Sequence, residues 1–493
     1  MTVTVKKITV KILIINEPFV KDFCRTQRWA ARTRGRVLRA PDWLAYSTAV
    51  LEKEGYEVKL YDFPAKGWDK DHLRELVRNE QPDVVVLDST TPSIYSDIEC
   101  ASICKEVSAC TIIMVGPHVS IMDEETLRIA EGAVDIIARG EYEYTVLEVV
   151  KKLEEKGEMG DVVGISYLDQ NGNYMRNQDR PLIENLDELP FPAWHHLDVT
   201  SYFDGTKLYP YVDIIGGRGC PFQCMFCLWP QVIHGRRYRL RTAKNIVDEM
   251  EYDLAHWPEI KKGEFFFEDD TFTVNRKRAY AICEEILRRK LKVTWSINSR
   301  ADVVDYELFK LMKKAGCRLL LVGFESGDQQ MLQKMKKNIT VERMREFVDL
   351  VKKAGLQIHG CFVLGLPGET RETIEKTIRF ALETRMDTVQ FSAAIPFPGT
   401  DYYQVCQEAG LIEAKDWKDW LNQGEQSTVV NYPGLSKSEI EKSVDDGLKK
   451  FYFRPSYMAR FILDTHSLSD LYRKLRGAKN FLSYLFAEKQ KFS

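Results

Sequence analysis

The sequence predicts an α/β protein made of two successive series of alternating strands and helices, followed by a helical C-terminal region. Short apolar runs recur between amphipathic stretches, first over residues 11–137 and again over residues 212–393. A chain of 493 residues exceeds what one core holds, since single cores stop growing near roughly 250–300 residues. A Leu-Pro-Phe-Pro stretch at residues 189–192 lacks periodicity and separates the two series.

Composition places the chain among globular proteins and excludes several classes. Hydrophobic residues make up 44% and charged residues 29% of the chain, as in folded globular proteins. The formal net charge of −3 argues against a general nucleic-acid binder. The 11 cysteines form no regular framework and the start lacks a signal-peptide pattern, which indicates a reducing cytosol. Without a run of about 18 apolar residues, no membrane span is expected.

The N-terminal series predicts a doubly wound parallel sheet, because continuous apolar runs alternate with amphipathic stretches. Ligands of such sheets bind beyond the carboxyl ends of the strands, so the loops that follow the strands are candidate binding loops. Strands are expected at residues 11–16, 56–61, 84–87, 111–115 and 134–137, and helices near residues 44–54, 96–107, 124–131 and 145–152.

An arginine-rich segment lies between the first strand and the first helix, with no acidic residue before Asp42. Charge runs usually form a solvated helical face. The segment also suits a cationic lid over a phosphate or a cofactor carboxylate, and both interpretations stay open. Its arginines are Arg25, Arg28, Arg32, Arg34, Arg36 and Arg39.

Three cysteines, Cys220, Cys224 and Cys227, carry the most specific signal in the chain. They are spaced by three and then two residues, in a loop introduced by Gly-Gly-Arg-Gly at residues 216–219. Three thiolates on one loop can hold an iron–sulfur cluster and leave one iron without a protein ligand. Structural zinc is the alternative, with His234 as the nearest fourth ligand. The long strand–helix series that follows favours the cluster.

In this setting the cysteine motif resembles that of the radical S-adenosylmethionine (SAM) enzymes. In that family the open iron chelates the amino and carboxylate groups of SAM, and a cluster electron cleaves SAM to a 5′-deoxyadenosyl radical. The resemblance implies a [4Fe–4S] cluster, a partial (β/α)6 barrel and an electron donor such as ferredoxin or flavodoxin. Barrel strands are expected near residues 212–216, 263–268, 292–297, 318–323, 357–364 and 388–393.

Polar residues follow these strands, where barrel enzymes have their active sites. The resemblance implies that Asp269 and Asp270 face the SAM ammonium group or the substrate as catalytic residues. A helix N-cap is the alternative for Asp270. The other expected contacts of SAM are Phe226 for adenine, Ser299 and Arg300 for the carboxylate, and Glu325 for the ribose or amino group.

The N-terminal unit, preceding such a barrel, resembles a cobalamin-binding domain. The chain departs from the Asp-x-His-x-x-Gly pattern of many cobalamin proteins, since the Asp-x-His at residues 464–466 lacks the glycine. Cobalamin is therefore expected without a histidine on cobalt, and a turn or tail contact is favoured for His118. Glycines would let the backbone approach the corrin, and hydroxyls would bind the nucleotide tail. The expected contacts are Ser89, Thr90, Thr91, Gly116, Pro117, His118, Gly140 and Glu141.

Further motifs resemble the branch of cobalamin-type enzymes associated with hopanoid lipids and calditol-type lipid head groups. They are Leu-Trp-Pro-Gln after Cys227, and the motifs at residues 91–93, 268–273 and 451–455. The resemblance implies hydrogen abstraction from an unactivated carbon and ring contraction of a lipid-linked sugar, or of another small-molecule substrate, to a cyclopentane polyol. The alternatives are a cobalamin-dependent C-methyltransferase and a non-catalytic cobalamin or cluster sensor.

The tail from Lys449 onward is rich in basic and aromatic residues. Such segments lie on anionic bilayers, which predicts a cytoplasmic protein in peripheral contact with the inner face of a membrane. A helical cap over the barrel is the alternative. The expected domains are a cobalamin-binding domain at residues 1–155, a hairpin and Pro-rich linker at residues 156–205, a radical SAM barrel at residues 206–400 and a helical region at residues 401–493.

Overall fold

The fold is given by a computed structural model that describes residues 10–422, 425–463 and 468–489. The described chain divides into two compact units. The first, here called the N-terminal unit, comprises residues 10–32, 38–201 and 228–235. The second, here called the barrel unit, comprises residues 33–37, 202–227 and the described residues from 236 onward.

The N-terminal unit contains a seven-stranded sheet within the described residues. Its order is β2-β1-β3-β4-β5-β6-β7, in which β1 to β5 are parallel and β6 and β7 pair antiparallel. The expected doubly wound sheet is confirmed, and its order reverses between β1 and β3, where such sheets bind ligands. The strands are β1 (Lys11–Asn16), β2 (Glu57–Asp62), β3 (Val84–Asp88), β4 (Thr111–Val115), β5 (Ile136–Ala138), β6 (Ile165–Leu168) and β7 (Tyr174–Arg176).

Helices connect these strands, and short 3-10 turns follow at residues 91–93, 186–188, 194–196 and 199–201. One helix, at residues 70–80, is missing from the sequence-based expectation. Asp69 caps it by accepting hydrogen bonds from the backbone N–H groups of Asp71 and His72. The helices are α1 (Asp42–Lys53), α2 (Phe63–Lys66), α3 (Lys70–Glu80), α4 (Ile94–Val107), α5 (Asp123–Ile129), α6 (Glu143–Glu155) and α7 (Leu228–Val232).

The predicted hairpin forms, but it belongs to the sheet. Strands β6 and β7 are joined by a turn in which Gly172 N–H donates to the Asp169 carbonyl at 2.9 Å. Strand β6 pairs with β5. Sequence reasoning places this hairpin in a linker, because the sequence shows its turn and not the sheet edge with which it pairs.

The barrel unit contains a sheet of six parallel strands within the described residues, ordered β8-β11-β12-β13-β14-β15. Sequence neighbours are thus spatial neighbours, as in a partial (β/α)6 barrel. Two short antiparallel pairs, β9 with β10 and β16 with β17, lie outside this sheet. The strands are β8 (Tyr211–Ile214), β9 (Gly217–Arg218), β10 (Arg239–Leu240), β11 (Glu264–Phe267), β12 (Trp295–Arg300), β13 (Cys317–Glu325), β14 (Gln357–Leu364), β15 (Thr388–Ala393), β16 (Leu421–Asn422) and β17 (Glu425–Gln426).

Amphipathic helices separate the barrel strands and continue beyond them, with 3-10 turns at residues 258–262, 272–274 and 417–420. The helix after β14 begins with Thr370 as N-cap in a capping box with Thr373. The helices are α8 (Ala243–His256), α9 (Arg276–Arg288), α10 (Tyr306–Lys314), α11 (Gln329–Lys334), α12 (Val341–Lys353), α13 (Arg371–Glu383), α14 (Asp401–Glu408), α15 (Lys437–Tyr452), α16 (Pro455–Leu463) and α17 (Leu468–Lys489).

The arginine-rich segment is not a solvated helical face. Among the described residues 17–41 no helix occurs, and Arg25 is buried in the N-terminal unit. In the barrel unit, Arg34 Nε donates to Asp445 at 2.7 Å and Arg36 forms a two-point ion pair with Glu425. Acidic residues distant in sequence neutralise these three arginines, a pairing that the local charge run does not reveal.

A buried ionic cluster lies where β1 and β3 end, at the reversal of strand order. Arg25 Nη2 donates to Asp97 at 2.7 Å, and Arg25 Nη1 donates to the Glu17 carbonyl. The Asp88 N–H donates to the Glu17 carboxylate at 3.2 Å. One cation thus faces three carboxylates, and burial raises the pKa of Asp88 to about 7 and the pKa of Glu17 well above its ordinary value. The cluster therefore retains protons near neutral pH.

This raised pKa predicts a pH-dependent stability that Asp88→Asn should remove. Because the folded pKa exceeds the ordinary value of 3.8, Asp88 contributes stability at low pH that is lost as pH rises to about 7. The loss amounts to at most about 4 kcal/mol, at roughly 1.4 kcal/mol per pKa unit. Urea unfolding at several pH values is expected to show a smaller decline for the variant than for the wild type. Equal declines would contradict the assignment.

Candidate active site

The cysteine loop follows β8 and is anchored at several backbone positions. Strands β9 and β10 pair across its two ends. Cys227 N–H donates to the Cys224 carbonyl at 3.3 Å, which closes a turn around the last two cysteines. Met225 is held on both sides, because its N–H donates to the Met335 carbonyl and its carbonyl accepts from the Tyr402 N–H. Cys224 is buried, and Cys220 and Cys227 are partly exposed.

Asp269, at the end of β11, binds the start of this loop. Its buried carboxylate accepts hydrogen bonds from the N–H groups of Gly216 at 2.7 Å and Gly217 at 3.1 Å. It also accepts from Tyr238 Oη at 3.0 Å and from Arg278 Nη2 at 2.7 Å. Burial and the charge of Asp269 raise the pKa of Tyr238 well above its ordinary value, so the phenol remains a donor. These contacts fix Asp269 to the chain itself, whereas the sequence predicts that it faces SAM or the substrate.

Gly216 has no room for a side chain. A Cβ atom there would stand 2.3 Å from Arg278 Nη2 and 3.0 Å from Asp269 Oδ1. Its neighbour in the sequence motif, Gly219, has a φ of 87° just before Cys220, a conformation that glycine adopts without strain. Glycine is therefore required at residue 216 because a side chain would clash, and it is favoured at residue 219 because of the backbone conformation.

Arg300, at the end of β12, lies against the cysteine loop. Its Nη1 is 3.6 Å from Cys224 Sγ, and its guanidinium stacks 3.5 Å from the centroid of the Phe222 ring. Nη2 donates to the Lys337 carbonyl at 2.8 Å, and Nε to Asp302. The sequence predicts that Arg300 holds the SAM carboxylate, but its donors are directed at Cys224, Lys337 and Asp302.

Ser299 and Asp270 lie at adjacent strand ends. The Ser299 hydroxyl is 2.9 Å from Thr273 Oγ1 and donates to the Arg300 carbonyl at 3.1 Å. Asp270 is half-buried and does not cap a helix, since α9 is capped by Asn275. Sequence reasoning missed Asn298, whose Nδ2 lies 3.3 Å from Glu268 Oε2.

Glu325 ends β13 with an unusual backbone. Its φ of 67° is rare outside glycine, and such conformations persist where the surrounding structure imposes them. Its Oε1 accepts from Lys337 Nζ at 2.9 Å. A Cβ on Gly323 would stand 2.2 Å from that same oxygen, so the glycine makes room for the carboxylate. Lys337 has no motif around it, and sequence reasoning missed it.

The loop after β14 is bound by side chains from three positions. Glu369 accepts from the N–H groups of Gly365 and Leu366, and burial raises its pKa to about 7. The Gly365 carbonyl accepts from Tyr402 Oη at 3.2 Å and Tyr432 Oη at 2.9 Å. Phe226 is buried, and its expected contact with adenine stays a prediction.

In the N-terminal unit, the predicted cobalamin loops come together after β3, β4 and β5. The Ser89 hydroxyl donates to the Val115 carbonyl, Thr90 Oγ1 lies 2.7 Å from Ser93 Oγ, and Thr91 Oγ1 lies 3.1 Å from His118 Nδ1. Ser89 and Thr91 thus bond to the end of β4 and to the loop after it, and Thr90 bonds within its own loop. To bind the nucleotide tail of cobalamin as expected, these hydroxyls would have to make a further hydrogen bond or exchange the present one. Burial lowers the pKa of His118 to about 3.

The two predicted glycines differ in role. A Cβ on Gly116 would stand 2.4 Å from the Ser89 carbonyl oxygen, so Gly116 packs against the chain itself. Gly140 has a φ of 67° and open space where a Cβ would stand, and its N–H donates to Ser120 Oγ at 3.0 Å. The open space at Gly140 would allow a corrin to approach closely. At Gly116, glycine is required because the Ser89 backbone occupies the space of a side chain. Pro117 follows Gly116 in the same loop.

Glu141 and His234 bind each other inside the N-terminal unit. Glu141 Oε1 lies 3.0 Å from His234 Nδ1, and Glu141 Oε2 accepts from the Ile183 N–H. The His234 ring stacks with Trp229 at 5.5 Å and lies 4.5 Å from Trp43. His234 thus gives Nδ1 to Glu141 and packs its ring against two tryptophans.

The residues fit the implied groups. Three thiols on a backbone-anchored loop, one of them beside Arg300, suit a [4Fe–4S] cluster with one open iron. The ends of β11, β12 and β13 present partly exposed polar groups for SAM, including Glu268 and Asn298. Open space at Gly140 and a deeply buried, neutral His118 suit cobalamin without a histidine on cobalt.

Comparisons with known proteins agree with this site. Residues 214–381 match the radical SAM superfamily and residues 40–150 match the B12 binding domain. An uncharacterized methyltransferase of Pyrococcus horikoshii is 32% identical over 89% of this chain and 93% of that protein. An anaerobic magnesium-protoporphyrin IX monomethyl ester cyclase of Rubrivivax gelatinosus is 30% identical over 85% and 74%. A hopanoid C-3 methylase of Methylococcus capsulatus is 27% identical over 75% and 68%.

Among solved structures, the radical SAM methyltransferase TsrM from Kitasatospora setae, with cobalamin and a [4Fe–4S] cluster bound, has the same fold. The TM-score is 0.72 at 17% identity, over 97% of this chain and 100% of TsrM. Family models and full-length relatives thus cover the N-terminal unit and the barrel unit together. The chain belongs to the cobalamin-binding radical SAM enzymes and uses a [4Fe–4S] cluster, SAM and cobalamin.

Proposed function

We propose that this enzyme is a C-methyltransferase that methylates an unactivated carbon of an apolar, lipid-type substrate. Methyltransferase names among the relatives, joined to a cobalamin domain and a cysteine loop in one chain, carry this proposal. Ring contraction, the main expectation from the sequence, has no counterpart among the relatives described above, and methyl transfer is therefore the better supported alternative. The cyclase of Rubrivivax gelatinosus is a relative of another reaction class.

When bound, the cluster and SAM would supply the radical chemistry for hydrogen abstraction, and cobalamin would supply the methyl-transfer chemistry. The chain's own residues bind and orient. Cys220, Cys224 and Cys227 would hold the cluster, and Arg300 positions their loop through its contacts with Cys224 and Phe222. Glu325, ion-paired with Lys337, is suited to the SAM amino or ribose group, and Asp270, half-buried beside β11, to the substrate side.

Asp269 acts as a positioning residue in this proposal. Four donors surround its carboxylate, and two of them are backbone N–H groups at the start of the cysteine loop. An ionised carboxylate that is buried must have such partners. Asp269 thereby determines where the loop leaves β8, and it acts on catalysis through the cluster ligands.

The outer face of α17 supports a lipid-type substrate. This face is apolar, whereas the outer face of an ordinary surface helix is polar. Leu471, Leu475 and Leu482 are spaced by four and seven residues, so they share one face. They are 37%, 54% and 40% exposed. Monomeric proteins rarely display a row of exposed leucines without a binding role.

The opposite face of α17 packs on the barrel unit through polar groups. Arg473 and Asn480 donate to the carbonyls of Gly205 and Gly35, and Tyr484 Oη donates to Asp445 at 3.2 Å. Among the described residues, no helix is long and apolar enough to cross a bilayer. An in-plane apolar stripe with exposed Lys479 beside it suits the surface of an anionic membrane, where a lipid substrate would be met.

Methyl transfer is tested with SAM that carries a trideuterated methyl group. The reduced enzyme with a total lipid extract is expected to form both S-adenosylhomocysteine and 5′-deoxyadenosine, because SAM serves as methyl donor and as radical source. Mass spectrometry should find the label in a lipid product. Cys224→Ala should lose the brown chromophore and the 5′-deoxyadenosine. Formation of 5′-deoxyadenosine and product without S-adenosylhomocysteine or label would refute methyl transfer.

The positioning role predicts that Asp269→Asn loses cluster. Breaking a buried ion pair costs about 3–5 kcal/mol, and here the cost falls on the loop that holds the ligands. Iron and acid-labile sulfide per chain should drop by more than half, with the absorption of the cluster. Glu264→Gln is the matched control, because it breaks a buried ion pair with Arg318 at the start of β11, away from the loop. An equal loss of iron in the control would show that the variant acts by general destabilisation and would contradict the positioning role of Asp269.

The leucine face predicts membrane binding that depends on α17. Co-sedimentation with vesicles containing anionic lipid should fall at least about tenfold when Leu471, Leu475 and Leu482 are changed to serine. Partial burial of three leucines is worth more than the roughly 1.4 kcal/mol of a tenfold change. The control is Ile121→Ser with Ile129→Ser, which removes similarly exposed side chains from the N-terminal unit. Unchanged binding in the leucine variant would contradict the assignment of this face.

A further inference from the structure

Two histidines and a glutamate converge at the surface of the N-terminal unit, away from the cobalamin loops. His195 Nε2 lies 2.9 Å and His196 Nε2 lies 2.8 Å from the same atom, Glu52 Oε1. The three ligand atoms all lie within 4.8 Å of one another. Two imidazoles that present the same nitrogen to one carboxylate oxygen already share a point where an ion can bind.

The backbone that carries these side chains is fixed before any ion arrives. Glu52 is in the last turn of α1, and the histidines are in the 3-10 turn Trp194–His196. The Ala193 N–H donates to the Ala45 carbonyl at 3.1 Å, and the Trp194 side chain is buried. The turn is therefore held by a backbone hydrogen bond to α1 and by the buried Trp194, so the ligands require little ordering.

The ligand set identifies the class of ion. Two imidazole nitrogens and one carboxylate supply three of the four ligands of a tetrahedral site. Water takes the fourth position, and Zn²⁺ is the usual ion in such sites. Imidazole suits zinc and its first-row neighbours, whereas Mg²⁺ and Ca²⁺ prefer oxygen ligands only.

We propose that Glu52, His195 and His196 form a binding site for a divalent transition-metal ion, with Zn²⁺ as the reference ligand. Each imidazole carries its proton on Nδ1 in the metal-bound form and gives Nε2 to the ion, and Glu52 gives Oε1. The ion cross-links the segment after the Pro-rich stretch to α1. This inference is independent of the methyl-transfer proposal, since it concerns neither the cysteine loop nor the cobalamin loops.

The site lies at the edge of the sheet where strands begin. Helix α1 runs back from the carboxyl end of β1 to the start of β2, and Glu52 precedes β2 by a short turn. Cobalamin-type ligands bind at the opposite edge. The expected consequence of metal binding is therefore higher stability of the N-terminal unit, without a change in the cluster.

The test uses the full chain with its cluster and cobalamin reconstituted, dialysed against micromolar Zn²⁺ and analysed for zinc by mass spectrometry. We expect one equivalent of zinc that the double variant His195→Ala, His196→Ala does not bind. Glu52→Gln should weaken binding at least tenfold, since even groups outside the ligand shell contribute roughly 10–100-fold to affinity. Zinc should raise the unfolding temperature of the wild type and leave that of the double variant unchanged.

Two controls separate this site from others. The double variant His72→Ala, His256→Ala removes two other surface histidines of the described chain and should keep the zinc equivalent. Replacement of the three cluster cysteines by alanine should also keep it, which excludes zinc bound in place of the cluster. Equal zinc in the wild type and the His195, His196 variant, or no zinc in the wild type, would overturn the proposal.

Discussion

A buried carboxylate at the end of β11 is the interaction on which the catalytic half of this protein depends. Asp269 accepts two backbone N–H groups, a phenol and a guanidinium. A charge without water needs all of these partners, so the carboxylate and the loop start cannot shift independently. Gly216 follows from this constraint, because the space of its missing side chain is filled by Arg278 and Asp269. The start of the loop that carries Cys220 is thus held by the Asp269 carboxylate.

The same device recurs along the barrel. Polar side chains at or after strand ends bind loop backbone: Arg300 binds the Lys337 carbonyl, and Glu369 binds the N–H groups of Gly365 and Leu366 in its own loop. Lys337 in turn pairs with Glu325. Groups that must meet a reactive species benefit from such prior ordering, because no energy of reorganisation is then required during the reaction. These polar residues therefore order the backbone of the loops at this end of the barrel.

Sequence reasoning found what depends on period and spacing. Strands β1, β4, β14 and β15 begin and end where the apolar runs predict, and the cysteine spacing identified the family. It failed where the surroundings of a side chain depend on partners that are distant in sequence. The arginine-rich segment has its acids at Asp97, Glu425 and Asp445, and Asp269 shares its motif with Asp270 although the two differ in surroundings. Helix α3 was missed because its apolar residues are few, with Leu73 and Val77 alone buried.

Helix α17 shows why amphipathicity does not fix orientation. The period of its leucines is evident in the sequence, but a period alone assigns them to the core side. Here polar contacts of Arg473, Asn480 and Tyr484 occupy that side, and the leucines are left outside. The proposed metal site could not be predicted from the sequence for a related reason. The adjacent histidines form a candidate site only together with Glu52, which is distant in sequence. Helix α1 is about 18 Å long at 1.5 Å per residue. An ion at its far end therefore acts on the sheet through a rigid element, which is why its effect should appear as stability and not as altered chemistry at the cobalamin edge.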